Sequence, residues 1–211
     1  MSENKPNWLK HFQERKPQIM DHENYLHFAL LVPLIERDGE LHFVFEIRAQ
    51  NIRQPGEICF PGGKVDDTDL SHEDAALREL HEELGIHPTQ VHLVGSLDYM
   101  ITPFRLMLYP FLGIIDSQAE IIRNDAEVTE VFFVPLSELL KMAPKEHNIY
   151  LEVQPEKEFP FHLIPNGENY NWRKATVNEQ FYEYDGKVIW GLTARILTHV
   201  LHEIKQVDEL N

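Results

Sequence analysis

The stretch Ser71 to Leu84 constrains this chain more than any other part of it. Ser71 can cap a helix, Asp74 follows three residues later, and Gly85 can end it. At about 100° per residue, Ala76, Leu77, Leu80 and Leu84 share one arc, which is the expected buried stripe. Glu79, Glu82 and Glu83 share a second arc beside that stripe, and Glu79 and Glu83 stand one turn apart on the same face. Like charges at that spacing cost about a few tenths of a kcal/mol in an isolated helix, and more if sheltered. A hard divalent cation would offset the repulsion, because Mg²⁺ prefers carboxylate oxygens. The same pattern also fits a solvated acidic face in which Arg78 pairs with Asp74 and Glu82. Just upstream, Pro61-Gly62-Gly63-Lys64 places glycines where a backbone can approach a ligand or metal closely.

Around this helix the pattern is dominated by strands. His27 to Ile35 predicts a strand, Arg37-Asp38-Gly39 a turn, and Leu41 to Arg48 the hairpin partner. Ala49 to Gly56 predicts a loop, followed by the apolar Ile58-Cys59-Phe60 and a turn at Pro61-Gly62-Gly63. Further strands are expected at Val91 to Asp98, Met107 to Ile115 and Val131 to Val134, with a short helix at Ser137 to Met142. Ala143 to Asn171 predicts loops with a strand around Phe159 to Ile164. A hairpin is expected to turn at Asp185-Gly186, and an amphipathic helix to run from Gly191 to Ile204. No βα alternation or repeat is present, so the expectation is one mixed α+β domain over 25–205. Residues 1–24, with Trp8, Phe12 and Pro17, precede it as an arm.

A length of 211 residues is enough to bury a core without covalent staples. Cys59 is the only cysteine, which excludes an intrachain disulfide, and its apolar neighbours favour a core thiol over a nucleophile. The net charge of −16 argues against broad binding to nucleic acid or anionic membranes. It is compatible with a small phosphorylated substrate, since bound divalent ions reverse the local sign. No apolar run approaches the roughly 20 residues that span a bilayer, and Met1 to Arg15 lacks a signal-peptide core. A cytoplasmic address is the expectation.

Gly63, Asp69 and the run Arg78-Glu79-Leu80-His81-Glu82-Glu83-Leu84-Gly85-Ile86 together resemble the box of the Nudix hydrolases. The acidic position holds Asp69 where Glu is usual, and one extra residue separates it from Arg78. The resemblance implies an α/β/α sandwich around a mixed sheet, with the box as a loop–helix–loop. It implies hydrolysis of a nucleoside diphosphate joined to another group. It assigns Glu79 and Glu83 as the principal Mg²⁺ ligands, Glu82 as an assisting one, Mn²⁺ as an alternative ion, and Arg78 as a brace for the carboxylates. A metal-activated water would attack phosphorus, with Glu79 or Glu127 as candidate proton acceptors. Glu127 reads equally well as plain surface. The small-molecule substrate is the expected partner, and a homodimer is left open.

Two further segments are similar to the coenzyme A pyrophosphatase branch of that family. One is Arg48-Ala49-Gln50-Asn51-Ile52-Arg53-Gln54-Pro55-Gly56-Glu57-Ile58-Cys59-Phe60-Pro61-Gly62-Gly63, and the other runs from Val188 to Leu197. Ala49 stands where Ser is commoner, and the stretch between Arg53 and Gly56 is one residue short. The likeness extends from about His27 to Leu201 and implies cleavage of coenzyme A to 3′,5′-ADP and 4′-phosphopantetheine. Arg48, Arg53 and Lys64 would meet phosphates (each is otherwise a surface cation), and Gly62 and Gly63 would admit the diphosphate. The competing readings are another diphosphate substrate such as ADP-ribose or NADH, and a catalytically silent nucleotide-binding regulator.

Overall fold

The computed structural model describes residues 7–209, so the first six residues of the arm lie outside the described ones. Helix α1 (Asn7–Glu14) and a single 3-10 turn (His22–Asn24) make up the rest of the arm. Strand β1 (Leu26–Arg37) turns through Asp38 and Gly39, both at positive φ, into β2 (Glu40–Arg48). Those dihedrals are what a two-residue hairpin needs, and Asp-Gly adopts them at low cost. Asp185 and Gly186 repeat the device between β10 (Ala175–Tyr184) and β11 (Lys187–Trp190).

The elements between these hairpins are β3 (Ile58–Cys59), β4 (Gly62–Lys64), α2 (His72–Leu84), β5 (Val91–Ser96), β6 (Met100–Ile101) and β7 (Leu106–Ile115). Then come β8 (Val128–Pro135), α3 (Leu136–Lys141) and β9 (Lys145–Leu151), and after β11 the chain ends in α4 (Gly191–Glu209). Eight strands form one sheet, with β3, β2, β1, β7 and β5 in that order, β8 on β2, β4 on β1 and β6 on β7. The β1–β7 pair is parallel over ten residues, from Leu26↔Leu106 to Ile35↔Ile115, and the other pairs are antiparallel. The sheet is therefore mixed, as expected.

Strand alternation divides the core into two layers. Leu30, Val32 and Leu34 of β1 and Phe43 and Phe45 of β2 pack toward α4, against Ala194, Leu197, Val200 and Leu201. Ala29, Leu31 and Val44 pack on the other face against Ala75, Ala76, Leu80 and Leu84 of α2. The result is an α/β/α sandwich. Leu80 is fully buried, and its truncation to Ala would cost about 2–5 kcal/mol. Among the described residues no helix is long and apolar enough to cross a membrane.

Four details differ from expectation. Gly62–Lys64 forms a strand on β1 rather than a turn, with Gly63 opposite Ala29. Leu77 is only half-buried, and Ala75 takes its place in the stripe, which rotates the buried face toward Glu83. The region Phe161–Leu163 is a 3-10 turn, whereas the strand lies at Lys145–Leu151, paired with β10 in a separate three-stranded sheet. Most of β9 is exposed, so its polar sequence carries no buried-face pattern, as suits an edge strand. Finally, α4 runs past Ile204 to Glu209.

Candidate metal and substrate site

The acidic helix is fixed at both ends. The Asp74 backbone N–H donates to Ser71 Oγ at 3.1 Å, and Gly85, with φ of 69°, donates its N–H to the His81 carbonyl. A Cβ on Gly85 would stand 2.8 Å from the Ile122 carbonyl oxygen, because the 116–127 loop lies against this end of the helix. Backbone bonds from Ile122 to Leu84 and from Asn124 to Glu83 hold that loop there. Asn124 Nδ2 then donates to Glu127 Oε1 at 3.1 Å.

Arg78 organises the carboxylates from their exposed side. Its Nε and Nη2 fork onto Asp69 at 2.9 and 3.0 Å, Nη1 donates to Glu79 Oε1 at 2.9 Å and to Glu82 Oε2 at 3.1 Å, and Nη2 also reaches the Lys64 carbonyl. Asp74 is no partner of Arg78; its place is taken by Asp69 from the preceding loop. That fork holds the Asp69 carboxyl below the usual carboxylate range, and the same bonds raise the guanidinium's affinity for its proton. The box's acidic position thus anchors the loop to the helix through Arg78.

Beneath Arg78 the helix meets β4. A Cβ on Gly63 would lie 2.4 Å from the Glu79 carboxylate, so only glycine allows that side chain to rest on the strand. The Gly62 N–H donates to Glu83 Oε2 at 2.9 Å. Glu83 is 3% exposed, and burial, with the nearby Glu46 charge, pushes its carboxyl well above the ordinary value. Burial also raises Glu79, against the pull of Arg78. Glu82 remains exposed at the rim. The solvated-face reading therefore fails for Glu79 and Glu83 and holds only for Glu82.

The substrate candidates divide. Arg48 is half-buried, its charge acts on Glu46 and Glu83, and its Nε donates to the Arg53 carbonyl at 3.0 Å. Arg53 and Lys64 are exposed, so the structure brings Arg48 to the carboxylates more closely than either. One carboxylate in this group was not anticipated. Glu46 on β2 is completely buried, accepts a bond from Cys59 Sγ at 3.2 Å, and burial raises its carboxyl. A glutamate inside a strand whose neighbours Val44 and Phe45 are core residues was the available signal. Cys59 is half-buried rather than the core thiol the sequence suggested, and burial, then the Glu46 charge, pushes its thiol above the ordinary value.

These residues suit a divalent cation. The donors are hard oxygens, Glu79 sits in a cradle that a Cβ would fill, and Glu46 Oε2 is buried without a hydrogen-bond partner. Among the described residues no group of three or more His, Cys, Asp or Glu side chains is placed to hold a metal ion, so the fit rests on the Glu79 and Glu83 carboxylates against β4. A cavity of about 940 Å³ near the β1–β2 turn is lined by none of these residues. A second, of about 540 Å³, is lined by Ile47, Gly56, Ile58, Phe181, Val188 and Trp190, beside the Arg48–Gly56 loop.

Residues 25–153 match the family model described as NUDIX domain. The mouse peroxisomal coenzyme A diphosphatase NUDT7 is 43% identical over 114 residues, 54% of this chain and 48% of that protein. The chain thus spans about half the length of that relative. An uncharacterized Nudix hydrolase NudL from Enterobacter sp. (strain 638) is 30% identical over 199 residues, 93% of each chain. The crystal structure of a MutT/nudix family protein from Enterococcus faecalis aligns with a TM-score of 0.49 at 15% identity, covering 96% of this chain and 68% of that one. With more than half of its length inside the NUDIX domain match, this chain belongs to the Nudix family of hydrolases.

Proposed function

We propose that this protein hydrolyses the diphosphate bond of coenzyme A or an acylated derivative, yielding 3′,5′-ADP and 4′-phosphopantetheine or its acyl form. The observation that carries the reading is the pair Glu79 and Glu83, one resting on Gly63 and the other bonded to the Gly62 N–H. The likeness to the mouse coenzyme A diphosphatase supports the substrate class, as does the segment from Arg48 to Gly63.

Glu79 and Glu83, with Glu82 at the rim, would hold Mg²⁺ or Mn²⁺, which when bound neutralises the diphosphate and activates a water. The chain's own groups supply the rest. Arg78 fixes Glu79 and Glu82 in place. Gly63, lacking a side chain, leaves room for the Glu79 carboxylate, and the Gly62 N–H holds Glu83 beside it. Arg48, with Arg53 and Lys64 at the exposed edge, attracts the substrate's phosphates, Arg48 through a planar fork suited to them. Glu127, whose carboxylate is held by Asn124 and not by Arg78, is better free than Glu79 to accept the attacking water's proton.

Product analysis decides the reading. The full chain is incubated with Mg²⁺ and a panel containing coenzyme A, an acyl-coenzyme A, ADP-ribose and NADH. Release of 3′,5′-ADP from the coenzyme A compounds, faster than cleavage of the other two, is the expected outcome. Preferential cleavage of ADP-ribose or NADH would sink the substrate assignment.

A further inference from the structure

Three histidines from three elements meet at one tyrosine, and the chemistry above gives them no task. His22 sits in the 3-10 turn of the arm, His27 near the start of β1, and His72 at the first position of α2. Tyr109 of β7 lies among them, only 3% exposed. His27 Nδ1 is 2.9 Å from the Tyr109 hydroxyl oxygen, and His22 Nε2 is 3.4 Å from the same atom. The His72 ring stacks on the Tyr109 ring with 3.6 Å between centroids, and the His22 and His27 rings are 4.4 Å apart.

Hydrogen bonding limits how many protons this cluster can hold. His27 Nε2 can bond the His22 carbonyl, 3.2 Å away, only as a donor. In the neutral ring Nδ1 is then an acceptor, so Tyr109 donates to it and accepts from His22 Nε2. One proton added to His27 is accommodated, because the hydroxyl can turn and donate to His22 instead. A second, on His22, leaves two N–H groups and the hydroxyl's own hydrogen around a single oxygen. It also sets two like charges side by side in a half-buried space. For His72, burial, then the charges of His27 and His22, lower the ring's value below the ordinary 6.5. The charges that bear on it are thus the other two histidines rather than a carboxylate. The surrounding segments also carry Asp21, Glu23, Lys64, Glu73, Asp74 and Arg105, all exposed, and Tyr99 meets the Tyr109 ring edge-on.

We propose that these histidines and Tyr109 form an acid-sensitive latch. It holds the arm's 3-10 turn and the first turn of α2 on the sheet until a second proton enters the cluster. The inference is independent of which diphosphate the protein cleaves. His72 stands three positions after Asp69, the partner of Arg78, so an open latch loosens the end of α2 that this brace secures. With the His72 value lowered in the folded state, stability from the cluster is whole above 6.5 and is lost as pH falls below it.

Amide hydrogen exchange on the metal-free full chain tests the latch, at about pH 7.5 and about pH 5.5, with intrinsic rates corrected. The reporters are Tyr25 and Leu26, whose N–H groups bond the His22 and Arg105 carbonyls, and Ala75, bonded to the Ser71 carbonyl. Their protection should fall about tenfold or more at the lower pH, since each unit of disfavoured protonation is worth about a factor of ten. The buried Glu46 carboxyl, raised to about 7, also changes its proton in this interval, so variants assign the effect. The double variant H22Q/H72Q keeps an N–H donor for Tyr109 but cannot take the protons, and should hold its protection at both pH values. Y109F keeps a ring against His72 and removes the bonds, so its arm turn should already be open at the higher pH. Equal protection of the parent at both pH values overturns the proposal. Acid opening that persists in the double variant does so too, because other groups then cause it. If the double variant does not fold, Y109F decides, and parent-like protection there at the higher pH removes the latch.

Discussion

Arg78 grips Asp69 with two parallel bonds, at 2.9 and 3.0 Å, and so ties the loop before α2 to the acidic face of that helix. Asp69 is almost enclosed and the Arg78 side chain is one-quarter exposed, so the fork is sheltered enough to matter. Arg78→Ala leaves Asp69, Glu79 and Glu82 without their cation, and should cost about 2–3 kcal/mol of stability. For a chain of this size that is a fall in Tm of about 5–10 °C. Activity should fall as well, because Glu79 loses its anchor. Arg78→Lys keeps the charge but not the fork, and should recover only part of each. A variant that melts like the parent and stays active would reduce Arg78 to a surface cation.

The two glycines of β4 should fail in different ways. A Cβ at Gly63 meets the end of a flexible side chain, the Glu79 carboxylate. Gly63→Ala should therefore fold nearly normally and lose at least about tenfold in kcat as Glu79 is displaced. A Cβ at Gly62 meets Leu30 Cβ at 2.4 Å and the Ala29 carbonyl oxygen at 2.7 Å. Neither can yield without moving β1, so Gly62→Ala should lower Tm by several degrees before its activity is considered. Thermal melts alongside steady-state kinetics for both variants check the contrast, and equal Tm losses would contradict it.

Local signals explain what could be read from the sequence. Ser71, Asp74 and Gly85 form a helix by bonds within a few residues, so its limits and the shared face of Glu79 and Glu83 were legible. The two Asp-Gly turns were legible for the same reason. Asp69 as the partner of Arg78 was not, because it lies nine positions upstream, before α2 begins, where helical spacing gives no pairing. Nor was the bond from Cys59 to the buried Glu46, which forms only when β3 pairs Cys59 opposite it. Strand β9 escaped because both its faces are largely solvated, which leaves no apolar period to read. The loop from 116 to 127 shows no period either, and its value lies in packing on Gly85 to bring Glu127 near.

Metal and pH should act on stability together. Burial raises the carboxyls of Glu83 and Glu46 above their ordinary value of 4.5. Without metal, the folded state therefore holds these protons at a pH where the unfolded chain has released them. Stability from this source is fully present below about pH 4.5 and is lost as pH rises toward the folded values. A cation that binds the ionised groups reverses the loss. Mg²⁺ should thus raise Tm more at pH 8 than at pH 5, and Glu83→Gln should flatten that dependence while lowering turnover at least about 10²-fold. A Mg²⁺ effect of equal size at both pH values, or near-normal turnover of Glu83→Gln at saturating Mg²⁺, would remove Glu83 from the metal site.

Substrate selectivity tests the segment from Arg48 to Gly63. Dephospho-coenzyme A lacks only the 3′-phosphate, so comparison with coenzyme A isolates any contact to that group. Losing one charge-assisted pair costs about 1.5–3 kcal/mol, or roughly 10- to 150-fold in kcat/KM. Dephospho-coenzyme A should be the poorer substrate by a factor in that range. Arg48 already spends its Nε on the Arg53 carbonyl and lies close to the buried carboxylates, a position that suits the diphosphate rather than a distant phosphate. Arg53 is exposed on the same loop and is the better candidate for the 3′-phosphate. Arg53→Ala should therefore narrow the difference between the two substrates without changing hydrolysis of dephospho-coenzyme A. Arg48→Ala should slow both compounds alike. Equal rates on the two substrates in the parent would mean the 3′-phosphate is not recognised, and the Arg53 assignment would fall with it. An unchanged ratio in Arg53→Ala would move that contact to another cation, with Lys64 the next to replace.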